Sequence, residues 1–139
     1  ESNKKDIPMI IAAHKVPYVA TASVAYPQDL ARKLEKAKGI EGFKFLHTVI
    51  PCPTGWRFDP AKAVEVTRLG VDTWVNPLYE IEEGVLKVNR KTEAKPVQEY
   101  LKAQGRFRRL TEDQLTYIQG EVDKKRDDLL GNDGKKIIH

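Results

Sequence analysis

Two short apolar segments separated by a helical pattern constrain the fold of this chain more than any other feature. Tyr18–Ser23 mixes β-branched and small residues, and residues 43–50 are dominated by aromatic and branched side chains, as is typical of buried parallel strands. Between them, Pro27 suits the first position of a helix and Gly39 suits the position just past its end. Because a strand, a crossover helix and a parallel strand follow naturally from this order, the sequence predicts an α/β fold.

The flanking segments extend this unit. Residues 7–12 are short and apolar, which predicts a further strand and a mostly parallel sheet flanked by helices. Residues 53–55 indicate a turn, and Asp59 followed by Pro60 predicts the start of a helix that reaches about Trp74. We therefore assign residues 1–75 to one α/β domain.

The second part of the chain, residues 76–139, predicts a small β-hairpin and a helical extension. Residues 78–81 and 85–88 flank Gly84, which allows the positive φ that short hairpin loops need. Thr111 and Gln114 have the spacing of a capping box ahead of an amphipathic helix. We expect that helix to end near residues 131–134 and the residues after it to be mobile.

Composition narrows the functional classes. The charge of +4 comes from 24 basic and 20 acidic residues, a balance too even to indicate nucleic-acid binding. The longest nearly uncharged runs, residues 7–13 and 16–27, are shorter than the roughly 20 residues of a membrane span.

Residues 1–6 contain neither an initiator Met nor a secretory signal, so we expect the interior of a longer product or a processed end. A single cysteine fits a reducing compartment, and we predict the cytoplasm.

Cys52 is the residue with the clearest chemistry. It lies in the motif Pro51-Cys52-Pro53-Thr54-Gly55-Trp56, directly after a predicted strand, where open α/β sheets place their ligands. The flanking prolines stiffen the loop, and thiolates bind iron–sulfur clusters well. Against this, a lone cysteine is often a small buried hydrophobe, and a cluster usually needs about four thiolates.

A cysteine nucleophile paired with a histidine is a separate hypothesis. His14 and His47 are the candidate bases, and His47 falls inside a predicted strand five residues before Cys52. A core or interface role is the favoured interpretation of both histidines. The single cysteine does not favour a self-contained zinc site.

Four segments together resemble a known family. They are residues 11–27, 51–56, 77–80 and 96–107, and they resemble, in the same order, the beta subunit of pyruvate:ferredoxin oxidoreductase, also called pyruvate synthase. The resemblance runs from about Asp6 to Asp128 and is specific to the C-terminal part of that subunit. It implies that the chain is part of a thiamine-diphosphate-binding fold.

The resemblance also implies an activity. Enzymes of this family decarboxylate pyruvate on thiamine diphosphate and Mg²⁺, pass electrons through [4Fe–4S] clusters to ferredoxin, and transfer the acetyl group to coenzyme A, often reversibly. Cys52 matches the motif that supplies a fourth cluster cysteine. The other three cysteines and the diphosphate-binding segment belong to the family's N-terminal part and are missing from these 139 residues. The implied partners are the rest of the beta subunit, the alpha, gamma and delta subunits, and ferredoxin.

Several assignments leave alternatives open. Thr21 and Ser23, near the end of a predicted strand, are candidates for contact with the thiamine diphosphate region, or else local partners of the backbone. The basic residues Arg106, Arg108 and Arg109 either dock an acidic partner such as ferredoxin or form a solvated face. The enzyme itself could act on 2-oxoisovalerate, 2-oxoglutarate or oxalate instead of pyruvate. The chain could also be a non-catalytic interaction module.

Overall fold

A computed structural model of the chain describes residues 5–139. Most of residues 1–6, from which we expect the interior of a longer product or a processed end, therefore lies outside the described residues. The helices are α1 (Ile7–Ala13), α2 (Pro27–Gly39), α3 (Pro53–Trp56), α4 (Ala63–Asp72), α5 (Val97–Lys102) and α6 (Glu112–Gly131). The strands are β1 (Tyr18–Ser23), β2 (Lys44–Val49), β3 (Tyr79–Glu82) and β4 (Val85–Val88). Short 3-10 helices cover Pro60–Lys62 and Gly105–Phe107.

The four strands form one sheet in the order β2-β1-β3-β4. β1 and β2 are parallel, whereas β3 pairs with both β1 and β4 in antiparallel fashion. The α/β class, the hairpin and the C-terminal helix are therefore confirmed. The sheet is mixed rather than mostly parallel, because the β3–β4 hairpin pairs with β1 directly. The division of the chain at residue 75 stays a prediction.

The strand predicted at residues 7–12 is wrong, because this segment is helix α1. The Asp6 side chain accepts a hydrogen bond from the backbone N–H of Met9, and Pro8 occupies the first turn, so the helix start is capped. Pro8 and Ala12 form its buried face. A run of only six apolar residues fits a buried strand and a buried helix equally well, so periodicity alone could not separate them.

Other local predictions hold. β1 has the predicted bounds, α2 begins at Pro27 as predicted and ends one residue later than predicted, with Gly39 inside the helix, and the hairpin turns at Glu83 and Gly84. The Thr111 side chain accepts from the N–H of Gln114 while the Gln114 side chain accepts from the N–H of Thr111, which completes the capping box of α6. The turn predicted at residues 53–55 is the one-turn helix α3.

The sheet carries apolar clusters on both faces. Tyr18 and Ala20 of β1 pack with Ala37 of α2 on one face. A larger cluster, which includes Val19, Trp74 and residues of α1, the hairpin and α6, covers the other. A third cluster joins α4, α5 and α6 around Tyr100. The buried residues that the sheet contributes to these clusters therefore come from β1, β3 and β4.

A buried carboxylate ties α2 to the hairpin. Glu80 of β3, which is 1% exposed, accepts hydrogen bonds from Arg32 at 3.0 Å, Lys36 at 2.5 Å and Asn89 at 2.6 Å. Burial alone would raise the pKa of Glu80, but these donors, Lys36 first among them, lower it from 4.5 to about 2. The carboxylate is thus charged and fully paired inside the fold.

The residues after α6 belong to the fold, so the prediction of a mobile end is wrong. Leu86 of β4 accepts from the N–H of Gly134 at 2.8 Å and donates its own N–H to Lys135 at 3.0 Å. The N–H of Ile137 donates to Gly84 at 2.8 Å. Ile137 and Ile138 pack on the larger apolar cluster. We call residues 134–138 the tail, and it covers the outer edge of β4. Among residues 5–139, no helix has the length and apolar character needed to cross a membrane.

Candidate functional site

Cys52 lies just past the carboxyl end of β2, where it caps helix α3. Its Sγ accepts a hydrogen bond from the N–H of Gly55 at 3.4 Å, and the side chain is exposed. A Cβ on Gly55 would lie 3.2 Å from this sulfur, so the glycine leaves space beside the thiol. The alternative that Cys52 is a small buried hydrophobe is wrong, because the thiol faces outward.

Residues from the helical extension hold this turn in place. Arg57 adopts a left-handed conformation with φ of 61°, and its carbonyl accepts from the N–H of Gly105 at 2.9 Å. The Arg106 guanidinium lies 4.4 Å from the centre of the Trp56 ring, a favourable cation–π distance. Trp56 in turn meets Tyr100 edge to face. The Cys52 turn is therefore fixed by contacts about fifty residues away along the chain.

These contacts also separate the role of Arg106 from the roles of Arg108 and Arg109. Arg106 donates from Nε to Gln104 at 2.9 Å and stacks on Trp56, so it serves the packing of the Cys52 turn. Arg108 and Arg109 are exposed. Docking of an acidic partner and a solvated face remain the two hypotheses for that pair.

Cys52 can provide one metal ligand but not a complete site. Across the described residues 5–139, no group of three or more His, Cys, Asp or Glu side chains is arranged to hold a metal ion. An exposed thiol on a stiff turn nevertheless fits a ligand shared with another polypeptide, because iron–sulfur clusters are held by thiolates that need not be close in sequence. The donor set of this chain is compatible with a cluster completed from outside.

Of the two candidate histidines, His14 lies outside the sheet and His47 lies within it. His14 follows α1 before the amino end of β1, about one strand length, roughly 20 Å, from the carboxyl end of β2. His47 lies within β2, and its ring centre is 6.4 Å from that of Phe45. The position of His14 therefore does not suit a base for Cys52. The pairing of Cys52 with His47 stays a prediction.

A cavity of about 810 Å³ lies next to the carboxyl ends of β1 and β2. Its walls come from these strands, the start of α1, the segment before β3 and one side of α6, and include Thr21, His47, Val49, Tyr79 and Tyr117. Burial and the neighbouring Asp6 carboxylate raise the pKa of Tyr79, so its hydroxyl stays protonated. No sequence pattern predicted this cavity, because it forms between elements that are distant in the chain.

Thr21 and Ser23 are separated by the geometry of β1. Thr21 lines the cavity, but its hydroxyl donates to the carbonyl of Pro77 at 2.7 Å and accepts from the N–H of Tyr79 at 2.9 Å. The Ser23 hydroxyl is buried and accepts from the N–H of Ala25 at 3.3 Å. Both side chains satisfy backbone groups, as the local alternative predicted. Contact with thiamine diphosphate stays a prediction for both.

Comparison with known proteins bears on the same residues. The chain is 55% identical over 121 residues to pyruvate synthase subunit PorB of Methanothermobacter marburgensis, an alignment that covers 86% of this chain and 42% of that protein. The resemblance to the pyruvate synthase subunit is confirmed. Pyruvate synthase subunit PorB of Thermotoga maritima is 44% identical over 133 residues, covering 91% of this chain and 41% of its own length. No family model matches the chain.

A second group of relatives has another name. The ketoisovalerate oxidoreductase subunit VorB of Pyrococcus furiosus is 47% identical over 120 residues, which cover 84% of this chain and 39% of the relative. The chain thus spans about two fifths of the length of the curated relatives it matches. All three relatives are named as subunits of enzymes that act on a 2-oxoacid.

Proposed function

We propose that this chain is the C-terminal part of the thiamine-diphosphate-binding beta subunit of a 2-oxoacid:ferredoxin oxidoreductase. The observation that carries the proposal is the 55% identity over 121 residues to a pyruvate synthase subunit, since identity at this level extends across the sheet, the Cys52 turn and the helical extension. The chain is expected to be inactive alone, because it spans about two fifths of such subunits.

Cys52 is the proposed ligand to a [4Fe–4S] cluster whose other ligands come from the rest of the subunit. When bound, such a cluster accepts and passes on one electron at a time, at a potential set by its thiolates and its exposure to water. Cys52 would hold one iron through its thiolate. Pro51 and Pro53 fix the backbone around the sulfur, and Trp56, which lies in the same turn and stacks against Arg106, would limit the access of water to the bound cluster.

Thiamine diphosphate and Mg²⁺ are the proposed further cofactors, with pyruvate and coenzyme A as substrates. The cavity beside β1 and β2 supports a place for this chain beside the cofactor, and Thr21 is the better placed of the two candidate hydroxyls because it lines that cavity. The proposed partners are the alpha, gamma and delta subunits and ferredoxin, in the cytoplasm. Thr21 would act by holding the Pro77–Tyr79 backbone in position behind the cofactor.

The identity of the 2-oxoacid rests on the relatives. Pyruvate is the first candidate because the relatives at 50–55% identity are named pyruvate synthase subunits. 2-Oxoisovalerate is the second, because VorB relatives reach 47–48%. Assaying the assembled complex with pyruvate, 2-oxoisovalerate and 2-oxoglutarate in parallel would decide. A preference for pyruvate is expected, and equal or greater turnover of 2-oxoisovalerate would overturn it.

The decisive test of Cys52 is Cys52→Ser in the assembled enzyme. We expect lower iron content and a changed electron paramagnetic resonance spectrum of the reduced clusters. Thr54→Ser, a change at another exposed residue of the same turn, is the control and should leave both unchanged. Wild-type iron content and spectrum in Cys52→Ser would refute the ligand assignment. A wild-type complex that assembles without iron would instead favour the interaction-module alternative.

A further inference from the structure

Strand β2 has an open outer edge. It stands at the end of the strand order β2-β1-β3-β4, and within residues 5–139 no strand or tail lies on its outer side. Its six side chains are all only partly buried, whereas five of the six side chains of its neighbour β1 are buried. An unpaired edge of this kind offers a row of N–H and C=O groups to another strand.

The outward backbone groups can be assigned. The Val49 carbonyl accepts from the N–H of Val24, so the backbone of Val49 faces β1. Because successive residues of a strand direct their N–H and C=O groups to opposite sides, Phe45 and His47 also face β1. The N–H and C=O groups of Leu46 and Thr48 therefore point outward.

The side chains of this edge are those of an interior strand. The only charge in β2 is Lys44, at its start, and the strand contains no proline or bulge, the usual devices that protect an exposed edge. Phe43 and Ile50, just outside its two ends, are 63% and 65% exposed. An edge whose single lysine lies at its start, and which is flanked by exposed apolar residues, is an aggregation hazard unless something covers it.

We propose that the outer edge of β2 pairs with a β-strand from the part of the subunit that this chain does not span, with Phe43 and Ile50 buried at the same interface. This inference rests on the proposed function. The occupant follows from length, because about three fifths of each relative lies outside the matched region and has to join this chain somewhere. The opposite edge, along β4, is occupied by the chain's own tail.

The test compares amide hydrogen exchange in the isolated chain and in its complex with the remaining part of the subunit. In the isolated chain, the amides of Leu46 and Thr48 should exchange quickly, while those of Phe45 and His47 are protected by β1. In the complex all four should be protected, with Leu46 and Thr48 slowed by about a hundredfold or more, as befits a paired strand.

A pair of substitutions separates the amide from the side chain. Thr48→Pro removes one outward N–H and leaves the inward bonds to β1 in place, and an edge strand tolerates proline at such a position. Thr48→Val keeps the N–H and the shape. Thr48→Pro should weaken association by about tenfold or more, since a partner carbonyl loses its donor, and Thr48→Val should change it little.

The outcomes separate the two proposals. Association with iron incorporation but continued fast exchange at Leu46 and Thr48 would overturn the β2 interface and leave the proposed function standing. Failure of the two parts to associate at all would overturn both. Concentration-dependent protection of the same amides in the isolated chain would show that a second copy is the occupant, which also contradicts the proposal. The hydrogen-exchange measurement tests the proposed β2 interface even if Thr48→Pro fails to fold.

Discussion

The two edges of the sheet differ in how they are covered by the rest of the chain. On the β4 side, the tail covers the strand, and Glu80 of the neighbouring β3 is enclosed by Arg32, Lys36 and Asn89. On the β2 side, the strand edge is open and is followed by an exposed cysteine. The difference suggests a division of roles to test: the β3–β4 side stabilises this part of the chain, and the β2 side, on our proposal, contacts other polypeptide.

The largest expected effect tests the closed side. Glu80→Gln keeps the shape of the side chain but leaves Lys36 and Arg32 without their shared carboxylate. We expect a loss of about 3 kcal/mol in the free energy of unfolding, at the low end for a buried ion pair because both cations are partly exposed. Urea denaturation measures this. Glu82→Gln, which removes a half-exposed partner of the same Lys36, is the control and should cost less than about 1 kcal/mol.

The pH dependence of stability sharpens the same point. Because the pKa of Glu80 is lower in the fold, at about 2, than its ordinary value of 4.5, its contribution is complete above about pH 4.5. The contribution is then lost as the pH falls from 4.5 toward 2. Unfolding measured across that range should show wild type losing more stability than Glu80→Gln. Parallel curves for the two proteins would contradict the assignment.

A pair of glycines tests whether the tail closes the β4 edge. Gly84 has φ of 81°, and a Cβ there would lie 2.2 Å from the carbonyl oxygen of Ile138. Gly84→Ala should therefore displace the tail and destabilise the fold by about 2 kcal/mol. Gly120→Ala, in the middle of α6 with no atom near the new Cβ, should instead stabilise it by about 0.5–1 kcal/mol. Thermal unfolding of both variants checks the contrast in sign.

The smallest expected effect lies on the open side. Cys52→Ser in the isolated chain should change the free energy of unfolding by less than about 0.5 kcal/mol, because the thiol is exposed and makes only one weak hydrogen bond. Denaturation of the isolated chain measures it. A larger loss would mean that the cysteine stabilises this fold directly, and the contrast between the two sides would fail.

Local patterns in the sequence predicted the elements whose ends carry their own chemistry. Pro27 and Gly39 bound α2, and Thr111 with Gln114 begins α6, because proline geometry and capping act within a few residues. The prediction of a strand at residues 7–12 was wrong for a different reason. Its apolar residues satisfy either periodicity, and only the cap from Asp6 and the packing of Ala12 decide in favour of a helix.

Local sequence patterns could not predict the long-range contacts of the fold. The pairing of β3 with β1, the tail along β4 and the stacking of Arg106 on Trp56 all join residues far apart in the chain. Cys52 could be singled out because its motif is local, and its role as a cluster ligand stays a prediction. The composition of residues 43–50 predicted a buried strand: the strand is confirmed at Lys44–Val49, but its burial is wrong for the described residues, where every side chain of the strand is only partly buried.

The tail has a consequence for synthesis. Residues 134–138 leave the ribosome after every strand of the sheet, so during translation the β4 edge stays unpaired until they emerge. A nascent chain stalled shortly after α6 would therefore expose that edge to strands of other molecules.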